Sequence, residues 1–100
     1  MVEKIRVLVK YPGQELHETE IENSLGVLQT LVGGYIETVT LSTDLVIICN
    51  EEGRLIGLPF NCDVLGCGFV GPIIFASTDG EGNFVDITPL AETLIKGMRL

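Results

Sequence analysis

Three sets of residues in this 100-residue chain have the types and spacing of functional motifs. Gly66, Gly68 and Gly71 reproduce the spacing of the dinucleotide-binding glycine fingerprint, and Asp79, Glu81 and Asn83 alternate as a calcium loop begins. Cys49, Cys62 and Cys67 together with His17 offer three thiolates and one imidazole, the ligand count of a zinc site. The glycine fingerprint needs a helix after it, because the free amides and dipole of a helix N-terminus hold the pyrophosphate. Here Pro72, Ile73, Ile74 and Phe75 follow, which is strand chemistry, and the triplet reads as a glycine-rich bend. The calcium pattern breaks at the sixth position, where a sharp turn needs Gly and Phe84 stands, and at the twelfth, where a bidentate Glu is needed and Leu90 stands. Asp, Gly and Asn are also what a hairpin turn requires. Structural zinc ligands usually come as two close pairs, whereas His17 and Cys49 are each isolated in sequence.

Nucleophilic chemistry has equally thin support. His17 is the single candidate base for a cysteine nucleophile, and it lies beside an acidic run. No serine-centred elbow or Walker loop is present, and the carboxylates that could act in pairs, Glu51 with Glu52 or Asp79 with Glu81, fall in turns where solvation accounts for them. The expectation is a protein that is not an enzyme and holds no cofactor or metal.

Composition narrows the class. Hydrophobic residues make up 46% and charged residues 20% of the chain, the balance of a packed domain, and residues 1–100 suit one domain rather than two. Fourteen acids against six bases give a formal net charge of −8, which repels nucleic acid and anionic membrane at long range. The longest apolar run, Leu45 to Cys49, is too short to span a bilayer, and the start lacks the basic segment and apolar stretch of a secretory signal. An odd cysteine count at low density fits a reducing compartment, so a cytoplasmic location is expected.

Periodicity supplies the elements that must position these residues. Ile5, Val7, Val9 and Tyr11 alternate with Lys4, Arg6 and Lys10 as a half-buried strand, and Leu16 to Glu22 alternates again after Pro12 and Gly13. An antiparallel register pairing Lys10 with Glu18 and Arg6 with Glu22 would make a charged ladder. Asn23 is placed to cap a helix carrying Leu25, Leu28, Leu31 and Val32, which Gly33 and Gly34 end. Tyr35 to Leu41 is a strand, and Leu45 to Cys49, apolar throughout, is the candidate centre of the sheet. After a turn at Asn50 to Gly53, Arg54 to Leu58 reads as a hairpin partner, Phe60 to Gly68 as an irregular connection, and Phe69 to Ser77 as a strand with a bulge or edge at Gly71 and Pro72. Asp79 to Asn83 turns the chain into Phe84, Val85 and Ile87. A last helix, capped by Thr88 with Pro89 in its first turn, should bury Leu90, Leu94, Ile95 and Met98. The predicted fold is α+β: a mainly antiparallel sheet of about five or six strands with two short helices packed on it.

Leu31-Val-Gly-Gly-Tyr-Ile-Glu37, Asn50-Glu-Glu-Gly-Arg-Leu-Ile-Gly-Leu-Pro-Phe-Asn61, the Tyr11-Pro-Gly13 end of the first strand, Glu20-Ile-Glu-Asn23 and Gly71-Pro-Ile-Ile-Phe75 together resemble the domain of unknown function 3846 family. The resemblance covers nearly the whole chain and implies small proteins of phages, plasmids and conjugative elements, with no catalytic residues to carry over. In that context the expected function is that of an acidic accessory protein acting by binding a host protein, such as inhibition of a CRISPR or restriction nuclease, whose basic channel acidity would help it approach. Glu51, Glu52, Asp63, Asp79 and Glu81 are the candidate partner-binding residues, and a homo-oligomer is compatible with the sequence. The alternative is a small-ligand-binding or sequestering module in which the Gly66 to Pro72 bend lines a pocket, marked by an exposed Phe60 or Phe69.

Overall fold

In the computed structural model, which describes residues 3–100, the chain runs through β1 (Lys4–Lys10), β2 (His17–Glu22), α1 (Leu25–Val32), β3 (Ile36–Ser42) and β4 (Leu45–Asn50). It continues through β5 (Phe60–Val64), β6 (Cys67–Val70), β7 (Ile73–Thr78), β8 (Phe84–Val85) and α2 (Pro89–Lys96). The main sheet has the order β2-β1-β7-β4-β3, with β8 beside the end of β7, and β5 with β6 forms a separate hairpin. Every pairing is antiparallel, so the fold is α+β as the element pattern implies.

Both faces of the main sheet are covered. On one face Ile5, Val7, Val9, Val46, Ile48, Ile74 and Ala76 pack against Leu28 and Val32 of α1. On the other Leu8, Leu45, Ile47, Cys49, Ile73 and Phe75 pack against Ala91 and Ile95 of α2 and against Cys62, Val64 and Phe69 of the β5–β6 hairpin. Each fully buried Ile or Phe in these layers contributes roughly 1.5–3 kcal/mol. The double cover explains why β4 and β7 are apolar at nearly every position and why β1, expected to be half buried, buries both faces, Lys10 included.

Several expectations change in the structure. The β1–β2 register pairs Lys4 with Glu22, Arg6 with Glu20 and Leu8 with Glu18, two residues from the ladder the charges suggested. A shift by two keeps every side chain on its face, so alternation alone could not distinguish the two registers. Ser24, not Asn23, caps α1, accepting from Val27 N, while Asn23 Nδ2 donates to Phe84 O at 2.9 Å. The sheet's centre is β7, with β4 beside it. Arg54 to Leu58 is no strand: residues 51–57 form consecutive turns in which Ile56 N donates to Glu52 O and Leu58 N to Gly53 O. Both edges of β4 are already taken, by β3 and β7, which leaves no place for a further hairpin partner.

Phe60 to Gly68 is likewise regular, forming β5 and the start of β6 around a two-residue turn at Leu65 and Gly66 with φ of 51° and 82°. Such turns want Asn-Gly, and a leucine in the first position hides the signal. The predicted strand from Phe69 to Ser77 is split at Gly71 and Pro72, so that β6 belongs to the hairpin and β7 to the main sheet. Gly71 has φ 70° and lies against Leu58, where a Cβ would meet the Leu58 side chain at 2.6 Å, so the switch between sheets demands glycine. In α2, Ala91 and Ile95 are buried while Leu90 and Leu94 are exposed, because the apolar stripe runs one position further round the helix than the leucines imply. No helix among the described residues is long and apolar enough to cross a membrane.

Candidate functional site

Where β4 leaves the main sheet, Asn50 organises the chain around it. The residue is buried; its Nδ2 donates to Val32 O at the end of α1 (3.1 Å), and its Oδ1 accepts from Glu52 N (2.8 Å). Gly34 lies so close that a Cβ there would stand 2.9 Å from Asn50 Nδ2. One side chain thus ties the helix end, the β3 approach and the turn that carries Glu51 and Glu52.

This turn, the β3–β4 ladder and β6 enclose a cleft of about 470 Å³. Its floor includes Val39, Cys49 and Phe69; Glu37, Glu51 and Glu52 bring carboxylates to it; and Leu55, an exposed side chain, stands at its side. Arg54 is the single base in the lining among the described residues, and its Nη2 is turned toward β6, donating to Gly68 O at 2.6 Å. None of Glu37, Glu51 and Glu52 takes part in an ion pair among the described residues. Cys49, which faces Glu37 across the ladder, donates its thiol to Glu37 O at 3.7 Å. Burial first, then the Glu37 and Cys67 charges, pushes that thiol up to about 11, so it stays protonated and inert at neutral pH.

A family model for a domain of unknown function, DUF3846, matches residues 5–98. The chain belongs to the DUF3846 family. No curated protein and no solved structure matches it.

The structure of this DUF3846 chain separates the five carboxylates that the sequence singled out. Glu51 and Glu52 line the cleft, and Asp63, exposed on β5, lies opposite Gly68 of its wall. Asp79 and Glu81 follow β7, whereas the cleft residues of β6 precede it, so this pair sits at the opposite end of the central strand. Asp79 has a structural role: Oδ1 accepts from Glu81 N (2.8 Å) and Asn83 N (2.9 Å), and Oδ2 from Asn83 Nδ2 (3.1 Å). These bonds, those of Asn83 foremost, hold its carboxyl below the usual range. The alternating acids that imitate a calcium loop are thus an Asp-centred turn.

Other DUF3846 carboxylates are engaged in the same way. Asp44 accepts from Thr88 Oγ1 (2.8 Å) and Ser42 Oγ (3.0 Å), which lowers its pKa and anchors the cap of α2. Asp86 Oδ1 accepts from Arg6 N at 2.8 Å. Glu92 bridges Lys96 (2.6 Å) and Arg6 (2.8 Å), with Glu18 3.4 Å from Arg6. Lys96 and then Arg6 hold the Glu92 carboxyl down at about 2.

The cysteine–histidine set does not assemble. His17 is on β2, at the opposite edge of the main sheet from β3, and stacks on Tyr11 with ring centroids 5.9 Å apart. Cys49 and Cys67 line the cleft, Cys62 on β5 is buried in the core between the hairpin and the main sheet with its thiol pushed up by burial, and no group of three or more His, Cys, Asp or Glu among the described residues is placed to hold a metal. Gly66 belongs to the hairpin turn and Gly71 leads into β7, so the glycine triplet shapes the hairpin and its junction with the main sheet. Asn50 escaped the sequence reading; the available signal was a polar amide directly after an apolar strand, a position where burial demands partners.

Proposed function

We propose that this protein acts by binding a partner that presents cationic side chains, and that it meets this partner at the cleft between β3, β6 and the Glu51–Glu52 turn. The observation that carries the reading is the division among its carboxylates: Asp44, Asp79, Asp86, Glu18 and Glu92 are engaged within the fold, while Glu37, Glu51 and Glu52 share one cleft and, among the described residues, have no cation paired to them. Desolvated apolar floor beside unpaired charge is the arrangement in which a basic anchor gains most from contact. A nuclease of a host defence system, with a basic nucleic-acid channel, is the class of partner that this acidity suits, and a mobile-element accessory protein is the setting. The test is inhibition of a panel of restriction and CRISPR nucleases by the purified protein, at low and raised salt, alongside the Glu51→Lys/Glu52→Lys double variant. Inhibition that weakens with salt and with charge reversal is expected; inhibition indifferent to both, or none across the panel, overturns the reading.

A second reading has its own observation. At about 470 Å³ the cleft is in the size range of small-molecule sites, so capture of a small amine is the alternative. A stabilising thermal shift with a polyamine panel and no nuclease inhibition would favour it.

A further inference from the structure

We propose that β3 takes up an extended segment of the partner as an added strand, directing that segment's Lys or Arg side chains to the acidic cleft; this rests on the reading above that the partner is basic. The argument begins with the ladder. Glu51 N donates to Tyr35 O at 2.9 Å, which makes residues 35 and 51 a hydrogen-bonded pair. Alternation in an antiparallel ladder then gives the same status to Glu37 with Cys49 and Val39 with Ile47, and turns the N–H and C=O groups of Ile36, Thr38 and Thr40 away from β4. Among the described residues no strand lies beyond β3, and no hydrogen bond reaches those outward groups.

The sheet's two outer strands treat their edges differently. β2, His-Glu-Thr-Glu-Ile-Glu, carries three acids in six residues and is tied by Glu18 to Arg6. β3, Ile-Glu-Thr-Val-Thr-Leu-Ser, has one charge, no Lys and no Pro, and its only irregularity is the register shift between Thr40 and Ser42, at the end away from Asn50. Edges are normally blunted by charge, proline or bulges, and the part of β3 beside the cleft has none of these apart from Glu37. Cross-strand neighbours share a face, so residues of an added strand opposite Glu37 and Val39 would point to the side on which those residues line the cleft. A basic residue therefore suits the position opposite Glu37 and an apolar one the position opposite Val39, while Thr38 and Thr40 face small polar or β-branched neighbours. A second copy of this chain is the poorer occupant, since it would bring another net charge of −8 to the same carboxylates. Strand addition of this kind draws affinity from main-chain bonds and specificity from alternate side chains.

Hydrogen exchange on the isotopically labelled full chain tests this at low salt with a synthetic peptide of alternating Thr and Lys with a central Val. The amides of Ile36, Thr38 and Thr40 should slow by at least about ten-fold while those of Glu37 and Val39, already bonded, stay unchanged. N-methylation of the peptide's Thr positions, whose amides would point at β3, should abolish the protection, and N-methylation of the Lys and Val positions should not. Binding that shifts Glu37, Glu51 and Glu52 but leaves the outward amides unprotected overturns strand addition and leaves the basic-partner reading standing. Absence of any binding by this peptide and by the nuclease panel sinks both. Protection that appears in concentrated protein without peptide assigns the edge to a second copy and overturns the proposal as well.

Discussion

At the β2 side of the main sheet, acids are matched: Glu18 and Glu92 meet Arg6 and Lys96 at 2.6 to 3.9 Å, in a network that fastens α2 to β1 and β2. At the β3 side they are not: Glu37, Glu51 and Glu52 gather around a cleft without an ion pair among the described residues, and the one base in the described lining, Arg54, donates to Gly68 O instead. Net charge therefore says little about where a partner would bind until internal pairs are removed from it. One side uses its acidity to hold the fold together, and the other leaves it facing outward.

The largest effect should come from breaking the unmatched side at its base. Asn50→Ala removes two hydrogen bonds at a buried position and leaves Val32 O unpaired, which should lower stability by about 2–3 kcal/mol in urea denaturation. On the matched side, acid is the lever. Glu92 has a folded-state pKa of about 2 against an ordinary 4.5, so the unfolded chain takes up the proton first. The stabilisation is complete above about pH 4.5 and is lost as pH falls toward 2. Glu92→Gln should therefore have a lower melting temperature than the parent at neutral pH and show a smaller drop between pH 5 and about 2, read from melting curves across that range.

Smaller still is a gain in the hairpin that walls the cleft. Leu65, at φ 51°, should tolerate Asn better than Leu, and Leu65→Asn should add about 0.5–1 kcal/mol in the same urea assay. The last pair of variants sharpens the contrast by changing stability least. Glu51→Lys/Glu52→Lys and Glu20→Lys/Glu22→Lys should each move the melting temperature by less than about 3 °C, since all four residues are exposed and none forms an ion pair among the described residues. Only the first should weaken partner binding; equal losses from both would mean that overall charge, not the cleft, is what a partner senses.

Much of the fold was legible because periodicity and caps agree locally: β1, β2, α1 with its Gly33 stop, β3, β4 and the Thr88–Pro89 start of α2 all appear near their expected bounds. The β5–β6 hairpin was hidden locally by Leu65 in its turn, while other failures arise from partners distant along the chain. Residues 54–58 have strand-like composition, but β3 and β7 already occupy both edges of β4. Phe69 to Ser77 looks continuous until Gly71, pressed against Leu58, moves it from one sheet to another. Of the candidate site, Glu51 and Glu52 were visible as acids in a turn. Their convergence with Glu37 was not, because it depends on β6 folding over the β3–β4 ladder. Asp79 and Glu81 offered the same sequence signal, and only the hydrogen bonds to Asp79 oxygens reveal that turn as self-contained.

The position of β7 between β1 and β4 also governs how the chain can be made. As it emerges during synthesis, the β1–β2 and β3–β4 hairpins can each close early, but the inner edges of β1 and β4 have no strand to pair with until Ile73–Thr78 arrives. For that interval two unpaired strand edges stand open in the nascent chain, and their closure needs contacts between residues far apart in sequence. Truncation before β7 should therefore give not a smaller domain but aggregating, unjoined hairpins, with residues 73–78 acting as the keystone that joins β1–β2 and β3–β4 into one sheet.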